Sequence, residues 1–118
     1  MKKVINNIIS NSVKYMDKPN GHIDIRILDE VDAIRVEIED NGKGIAQKDL
    51  QKIFERFYRT DASRNLRGGS GIGLSIVKKI IEDHGGYVWA TAKEGEGTCM
   101  HFVLRKYIEL QPVEPSNE

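Results

Sequence analysis

Only one cysteine stands among 118 residues. Cys99 has no second thiol to pair with, so an internal disulfide framework is excluded and a reducing compartment fits. Net charge is also absent, with 18 basic residues against 18 acidic ones. That balance excludes a polyanion binder held by overall charge, and no nucleic-acid partner is expected. No apolar run approaches the roughly 20 residues that span a bilayer, and no secretory leader pattern opens the sequence. The chain is expected to be soluble and cytoplasmic, without direct membrane contact of its own. A larger parent anchored in the cell membrane is compatible with this expectation. Internal repeats and linkers are lacking too. A chain of this length makes one domain, large enough to bury a core.

What is present alternates between two periodicities. Val4, Ile5, Ile8, Ile9, Val13 and Met16 recur at helical spacing and predict a helix over residues 2–16. Residues 22–28 alternate Ile23, Ile25 and Ile27 with polar neighbours. Residues 33–39 do the same with Ile34, Val36 and Ile38, so two strands joined by a turn at Asp29-Glu30 are expected. A glycine-bearing loop, DNGKGI, follows at 40–45, and residues 47–57 read as a short helix. Residues 59–70 are polar and end in glycine, as mobile loops do. Ile72, Ile76, Val77, Ile80 and Ile81 form one apolar helical face over 72–83, closed by Gly85-Gly86. Strands at 87–93 and 98–104 flank the turn EGEG. The tail from Ile108 holds two prolines and three glutamates and is expected to fray. The sum is a layered α/β domain with helices on one face of a sheet.

Three stretches carry chemistry. The opening helix contains NNIISNSVKY at 6–15, with three asparagines and two serines where helices prefer other residues. Asn7, Asn11 and Lys14 lie at i, i+4 and i+7, so they share a face. Asparagine carbonyls are hard oxygen ligands suited to Mg²⁺; a merely solvated polar face is the competing reading. The loop Asp40-Asn41-Gly42-Lys43-Gly44-Ile45 ends a strand. An ionised Asp40 accepts hydrogen bonds only, so it can read an exocyclic amino group such as that of adenine. Gly42 and Gly44 let backbone pass close to a flat ring. Asp-Asn-Gly is equally strong turn chemistry, and alone the turn reading would prevail. Finally, Gly68-Gly69-Ser70-Gly71-Ile72-Gly73 runs into a helix start, whose free N–H groups attract phosphate. A flexible hinge is the alternative there. Neither the P-loop pattern nor the dinucleotide fingerprint fits: no Gly-Lys-Ser/Thr occurs, and no strand directly precedes the glycines.

In order and spacing, these stretches resemble the catalytic and ATP-binding domain of bacterial sensor histidine kinases. That domain belongs to the superfamily that includes gyrase-type topoisomerases and mismatch-repair ATPases. NNIISNSVKY resembles the N box, DNGKGI the first glycine box, IFERFYR at 53–59 the F box, and GGSGIGLSIVKKIIEDHGG at 68–86 the second glycine box. WATAKEGEGTCMHFVL resembles the closing hairpin, so the likeness runs from Val4 to about Leu104. The resemblance implies an α/β sandwich of the α+β type, the Bergerat-type ATP-binding fold. Its mixed sheet of about five strands would be covered on one face by about three helices. It implies a domain over 1–106 and a disordered tail over 107–118.

The resemblance also implies ATP and Mg²⁺. Asn11 matches the Mg²⁺ ligand, Lys14 a phosphate contact and Tyr15 an aromatic neighbour of the nucleotide. Asp40 matches the adenine-reading carboxylate, with Gly42, Gly44 and Ile45 beside it. Arg59 matches a basic residue reaching the terminal phosphate, so Asn11, Lys14 and Arg59 form the implied catalytic set. Gly69, Ser70, Gly71, Ile72, Gly73 and Leu74 match the phosphate side. Thr98 sits where relatives place a small hydroxyl near adenine. Phe54, Phe57 and Tyr58 would anchor a lid over residues 60–70, in which Arg64 and Arg67 also lie. Asn7 occupies the position where ATP-hydrolysing relatives carry a glutamate that activates water. An amide cannot take that proton, which implies transfer to another nucleophile: a histidine on a separate dimerisation domain, and from there a response regulator. The alternatives are an ATPase or serine kinase of the superfamily, or a non-catalytic nucleotide-binding module.

The chain lacks a phosphoacceptor pattern around His22, His84 or His101, and each is expected to be structural or exposed. Cys99 is expected to be a buried strand residue, Trp89 to pack on the sheet, and Lys78-Lys79 to face solvent. A short strand usually precedes the N box in the family, and this sequence begins too late to hold all of it.

Overall fold

A computed structural model describes residues 1–58 and 73–106. Along them run α1 (Lys2–Lys14), β1 (Ile23–Asp29), β2 (Ala33–Asp40), α2 (Gly73–Asp83), β3 (Tyr87–Lys93) and β4 (Gly97–Arg105). The sheet order is β1-β2-β4-β3, and every neighbouring pair is antiparallel. The expected mixed sheet is thus corrected to an antiparallel one among the described strands. Two of the three pairings follow from connectivity, since β1–β2 and β3–β4 are tight hairpins and hairpins can only join antiparallel strands; the central β2–β4 pair is antiparallel as well. A fifth strand and a third α-helix are not found among the described residues. The expected lid at 60–70 and the tail at 107–118 lie outside them, as do Arg59, Arg64, Arg67, Gly69, Ser70, Gly71 and Ile72.

Register decides which side chains meet the helices. Ile38 lies opposite Met100, and Val36 opposite Phe102, which in turn lies opposite Val88. These residues face α1 and α2 because alternate strand residues share a face. Val4 and Ile8 of α1 and Val77 and Ile81 of α2 fill the space above them, and all four are fully buried, as are Ile38 and Phe102. Burying a side chain of this size contributes about 1.5–3 kcal/mol relative to leaving it in water. The other face of the same strands carries Arg26, Glu37, Glu39, His101 and Trp89, with no helix over it among the described residues.

The ends of α2 follow their residues. Gly85 has φ 77°, and its N–H donates to the Glu82 carbonyl at 3.0 Å, while Gly86 N–H reaches the Ile81 carbonyl, also at 3.0 Å. This pair of bonds is the Schellman arrangement that a left-handed glycine permits. A Cβ on Gly86 would stand 1.8 Å from the Val103 carbonyl oxygen, so only glycine lets α2 turn back so tightly onto β4.

One local expectation fails. Residues 47–57 do not form an α-helix: a 3₁₀ turn spans Gln47–Asp49, and turns follow. The N–H groups of Asp49, Leu50, Lys52, Glu55 and Tyr58 each bond three residues back; only Ile53 reaches four back, to Asp49. The tighter winding brings Ile53 and Phe54 onto the core, while Phe57 is exposed with φ 64° and breaks any helical continuation. Val13 lies in α1 as its spacing predicts, yet it is 61% exposed. No helix among the described residues is long and apolar enough to cross a membrane.

Candidate functional site

The C-terminal end of α1, the loop after β2 and the β3–β4 turn converge. Lys43 N–H donates to the Tyr15 carbonyl at 3.2 Å, stitching the glycine loop to the helix end. A Cβ on Gly42 would lie 2.8 Å from that same Tyr15 oxygen, and a Cβ on Gly44, at φ 77°, would lie 2.2 Å from the Lys93 carbonyl oxygen. The two glycines are therefore required by backbone-to-backbone approach. Lys18 adds a tie the sequence did not signal. Its ammonium donates to the carbonyls of Asn41 at 2.6 Å, Gly42 at 2.9 Å and Gly95 at 2.9 Å. It stands four residues beyond α1 in a short polar stretch, where no periodicity marks it.

Asp40 closes β2 and is only 9% exposed. Its Oδ1 accepts the Gly42 N–H at 2.9 Å, so the turn reading of Asp-Asn-Gly is correct as local structure. That bond uses one lone pair of one oxygen, and among the described residues no other donor reaches the carboxylate. Thr98, also buried, lies directly opposite Asp40 in the β2–β4 register. Gly97, at φ 132°, precedes it, and a Cβ there would fall 2.0 Å from the Asp40 carbonyl oxygen. Asp40, Gly42 and Thr98 are thus brought together at one end of the sheet.

On α1, Asn7, Asn11 and Lys14 are half-buried beside the buried stripe of Val4, Ile8 and Ser12. Among the described residues none hydrogen-bonds the Asn7 or Asn11 side chain. Lys14 stands 5.8 Å from the centre of the Tyr15 ring. Asparagine carbonyls on a half-buried face suit a hard cation such as Mg²⁺. Ile45 and Leu74 are partly buried against the core, and Gly73 opens α2. Tyr58 donates its hydroxyl to the buried Asp49 carboxylate, which pins the end of the F-box stretch.

The remaining singled-out residues lie where the sequence placed them. His22 is exposed, and its backbone N–H donates to Asn41 Oδ1 at 2.8 Å. The His84 ring bonds the Ile80 carbonyl at 2.8 Å beyond the last turn of α2. Lys78 and Lys79 pair with Glu82 and Asp83 on the exposed side of that helix. Cys99 is buried, and burial, helped by Glu39 and Glu37, pushes its thiol up to about 11. On the same face the Arg26 guanidinium holds the Glu37 carboxyl below its usual range, against the opposing effect of burial.

The family described as histidine kinase-, DNA gyrase B-, and HSP90-like ATPase matches residues 1–108. Among curated relatives, the sensor histidine kinase WalK of Bacillus subtilis is 42% identical over 105 residues, which cover 86% of this chain and 17% of that protein. Cyanobacterial phytochrome B of a Nostoc species is 40% identical over 87% of this chain and 14% of that one. The chain therefore spans less than a fifth of the length of these relatives. Among solved structures, a mycobacterial sensor histidine kinase, MprB, superposes with a TM-score of 0.76 at 31% identity, covering 87% of this chain and 70% of that one. The catalytic domain of the histidine kinase ThkA gives 0.74 at 35% identity, over 89% and 66%. ThkA has also been solved in complex with the response regulator protein TrrA; that structure gives a TM-score of 0.70 at 32% identity, over 90% of this chain and 28% of that one. The described architecture is thus a histidine-kinase ATPase fold, and the chain belongs to the histidine kinase-, DNA gyrase B- and HSP90-like ATPase family.

Proposed function

We propose that residues 1–106 are the ATP-binding catalytic domain of a two-component sensor histidine kinase, and that the chain binds ATP with Mg²⁺. The observation that carries this reading is Asp40, a buried carboxylate at the glycine loop with only one described donor upon it. The adenine amino group would donate to it, with Thr98 opposite, and Gly42, Gly44 and Ile45 would let the ring lie against the backbone. Asn11 would hold Mg²⁺, with Asn7 one helical turn away. Bound Mg²⁺ would neutralise phosphate charge. Lys14, Arg59 and the N–H groups from Gly69 through Leu74 would hold the phosphates, and Tyr15 and Tyr58 would flank the nucleotide. The full sheet of about five strands under three helices, with a lid over 60–70 and a tail over 107–118, belongs to the same proposal.

Phosphoryl transfer depends on placing a nucleophile in line with the γ-phosphate and neutralising the charge there. Asn7 supplies no base for water, and none of His22, His84 and His101 stands in a phosphoacceptor pattern. The acceptor is then a histidine on a separate dimerisation domain of a cytoplasmic or membrane-anchored parent, which passes the group to a response regulator. The same absence of a base at position 7 argues against an ATPase.

Calorimetry on Asp40→Asn tests the nucleotide reading. Losing a hydrogen bond to a charged partner weakens ATP binding by about 1.5–3 kcal/mol, and an unchanged affinity would sink the adenine assignment. Radiolabelled ATP tests the transfer. The chain alone is expected to stay unlabelled and to label the supplied histidine-bearing domain of its parent; acid-labile label on the chain alone would overturn the reading.

A further inference from the structure

The sheet face turned away from the helices carries a second constellation. Glu37 of β2 lies directly opposite His101 of β4, and Cys99 lies two residues before His101 on the same face. One ligand atom from each comes within 4.8 Å of the other two. We propose that Glu37, Cys99 and His101 form a binding site for a borderline-soft divalent cation of the zinc class.

The donor set selects the metal. A thiolate, an imidazole and a carboxylate are the ligand types of tetrahedral Zn²⁺, whereas Mg²⁺ and Ca²⁺ demand oxygen alone. This site is therefore chemically separate from the asparagine face proposed for Mg²⁺. The histidine is already oriented. Its Nδ1 stands 3.1 Å from Glu37 Oε2, and its Nε2 is 2.9 Å from Thr91 Oγ1. With Glu37 ionised, Nδ1–H donates to its carboxylate while Nε2 accepts from the Thr91 hydroxyl; an ion would take the place of the Nδ1 proton, and Nε2–H would then donate to the Thr91 oxygen. Trp89 fixes the ring plane from β3, stacked at 4.9 Å between centres and 4° between planes.

A cation already lies among these groups. Arg26 Nε donates to Glu37 Oε1 and its Nη2 to Glu39 Oε1, both at 3.0 Å, and Nη2 also lies 3.8 Å from Cys99 Sγ. The guanidinium thus lies among the groups a metal would use, on a long side chain with access to solvent. A bound ion replaces that positive charge, and Glu39, opposite Cys99 in register, offers a further oxygen. On binding, Cys99 gives up its thiol proton to solvent, the neutral His101 ring carries its one proton on Nε2 in place of Nδ1, and Arg26 swings outward.

Two intrinsic reporters make the test direct, since the chain has one cysteine and one tryptophan. The reduced, untagged, nucleotide-free protein is titrated with Co²⁺. A thiolate-to-cobalt absorption band and quenching of Trp89 fluorescence are expected to saturate together at one ion per chain, and Zn²⁺ should reverse both. His101→Gln is expected to weaken Co²⁺ binding by about tenfold or more. No thiolate band at millimolar Co²⁺, quenching without the band, or unchanged affinity in His101→Gln would each overturn the site. The wild-type titration needs no variant, so it decides the matter even where a substitution fails to fold. ATP affinity is measured separately, so failure here does not touch the nucleotide reading.

Discussion

The two faces of β2 and β4 are built from alternating residues of the same strands, yet different forces hold them. Toward the helices stand Val36, Ile38, Met100 and Phe102, in a continuous apolar layer. Away from them stand Glu37, Glu39, Cys99 and His101, tied to Arg26, Thr91 and Trp89 by hydrogen bonds, charge and stacking. The inner face gains by burial, which is indifferent to pH. The outer face gains by ionised groups, which are not. A third case separates pattern from burial. On β1, Ile25 and Ile27 lie opposite Ile38 and Val36, and so point to the inner face, yet they are 49% and 69% exposed. Among the described residues Ile23 of β1 still packs on the core, while Ile25 and Ile27 lie beyond the helices' reach. A strand's alternation fixes which way a side chain points; a helix above it fixes whether pointing that way yields anything.

The contrast is sharpest at its extremes. Ile38→Ala is expected to cost about 2–5 kcal/mol in urea unfolding, because it empties a fully enclosed position. A loss below about 1 kcal/mol would mean that the inner face is not a packed core. Next comes the outer face. Glu37 faces Arg26, Arg35 and His101, and Arg26 sets its carboxyl below the usual 4.5. The stability this contributes is fully present above pH 4.5 and is lost as pH falls through the lowered folded value. Glu37→Gln should therefore lower Tm at neutral pH by less than Ile38→Ala does, and the difference from wild type should close in acid. A difference that persists unchanged at about pH 2, below the carboxylate range, would assign the effect to packing. Smallest is Ile27→Ala, expected within about 0.5 kcal/mol of wild type as an exposed substitution. A cost near that of Ile38→Ala would show that Ile27 is covered after all.

Much of this was readable in the residues. Helical spacing gave α1 and α2, alternation gave β1 and β2, the EGEG turn gave β3 and β4, and Gly85-Gly86 gave the end of α2, because each rests on local chemistry that tertiary packing did not oppose. Residues 47–57 misled because Ile53 and Phe54 fit a helical stripe as well as a tighter one, and spacing alone does not distinguish them. Val13 and Ile27 were legible as to element and illegible as to burial, which depends on what lies across from them. In the site, the glycines and Asp40 announced themselves by type and spacing. Lys18 did not, because its three partners come from two loops brought together only by folding.

That lysine has a consequence for motion. One ammonium has three protons, and Lys18 places all three on carbonyls from the glycine loop and the β3–β4 turn, while Lys43 N–H holds the same loop to α1. No one of these segments can lift away without stranding bonds of the others. The amides of Lys43 and Gly95 should consequently exchange with solvent at one shared rate, set by a single opening event rather than by two independent loops.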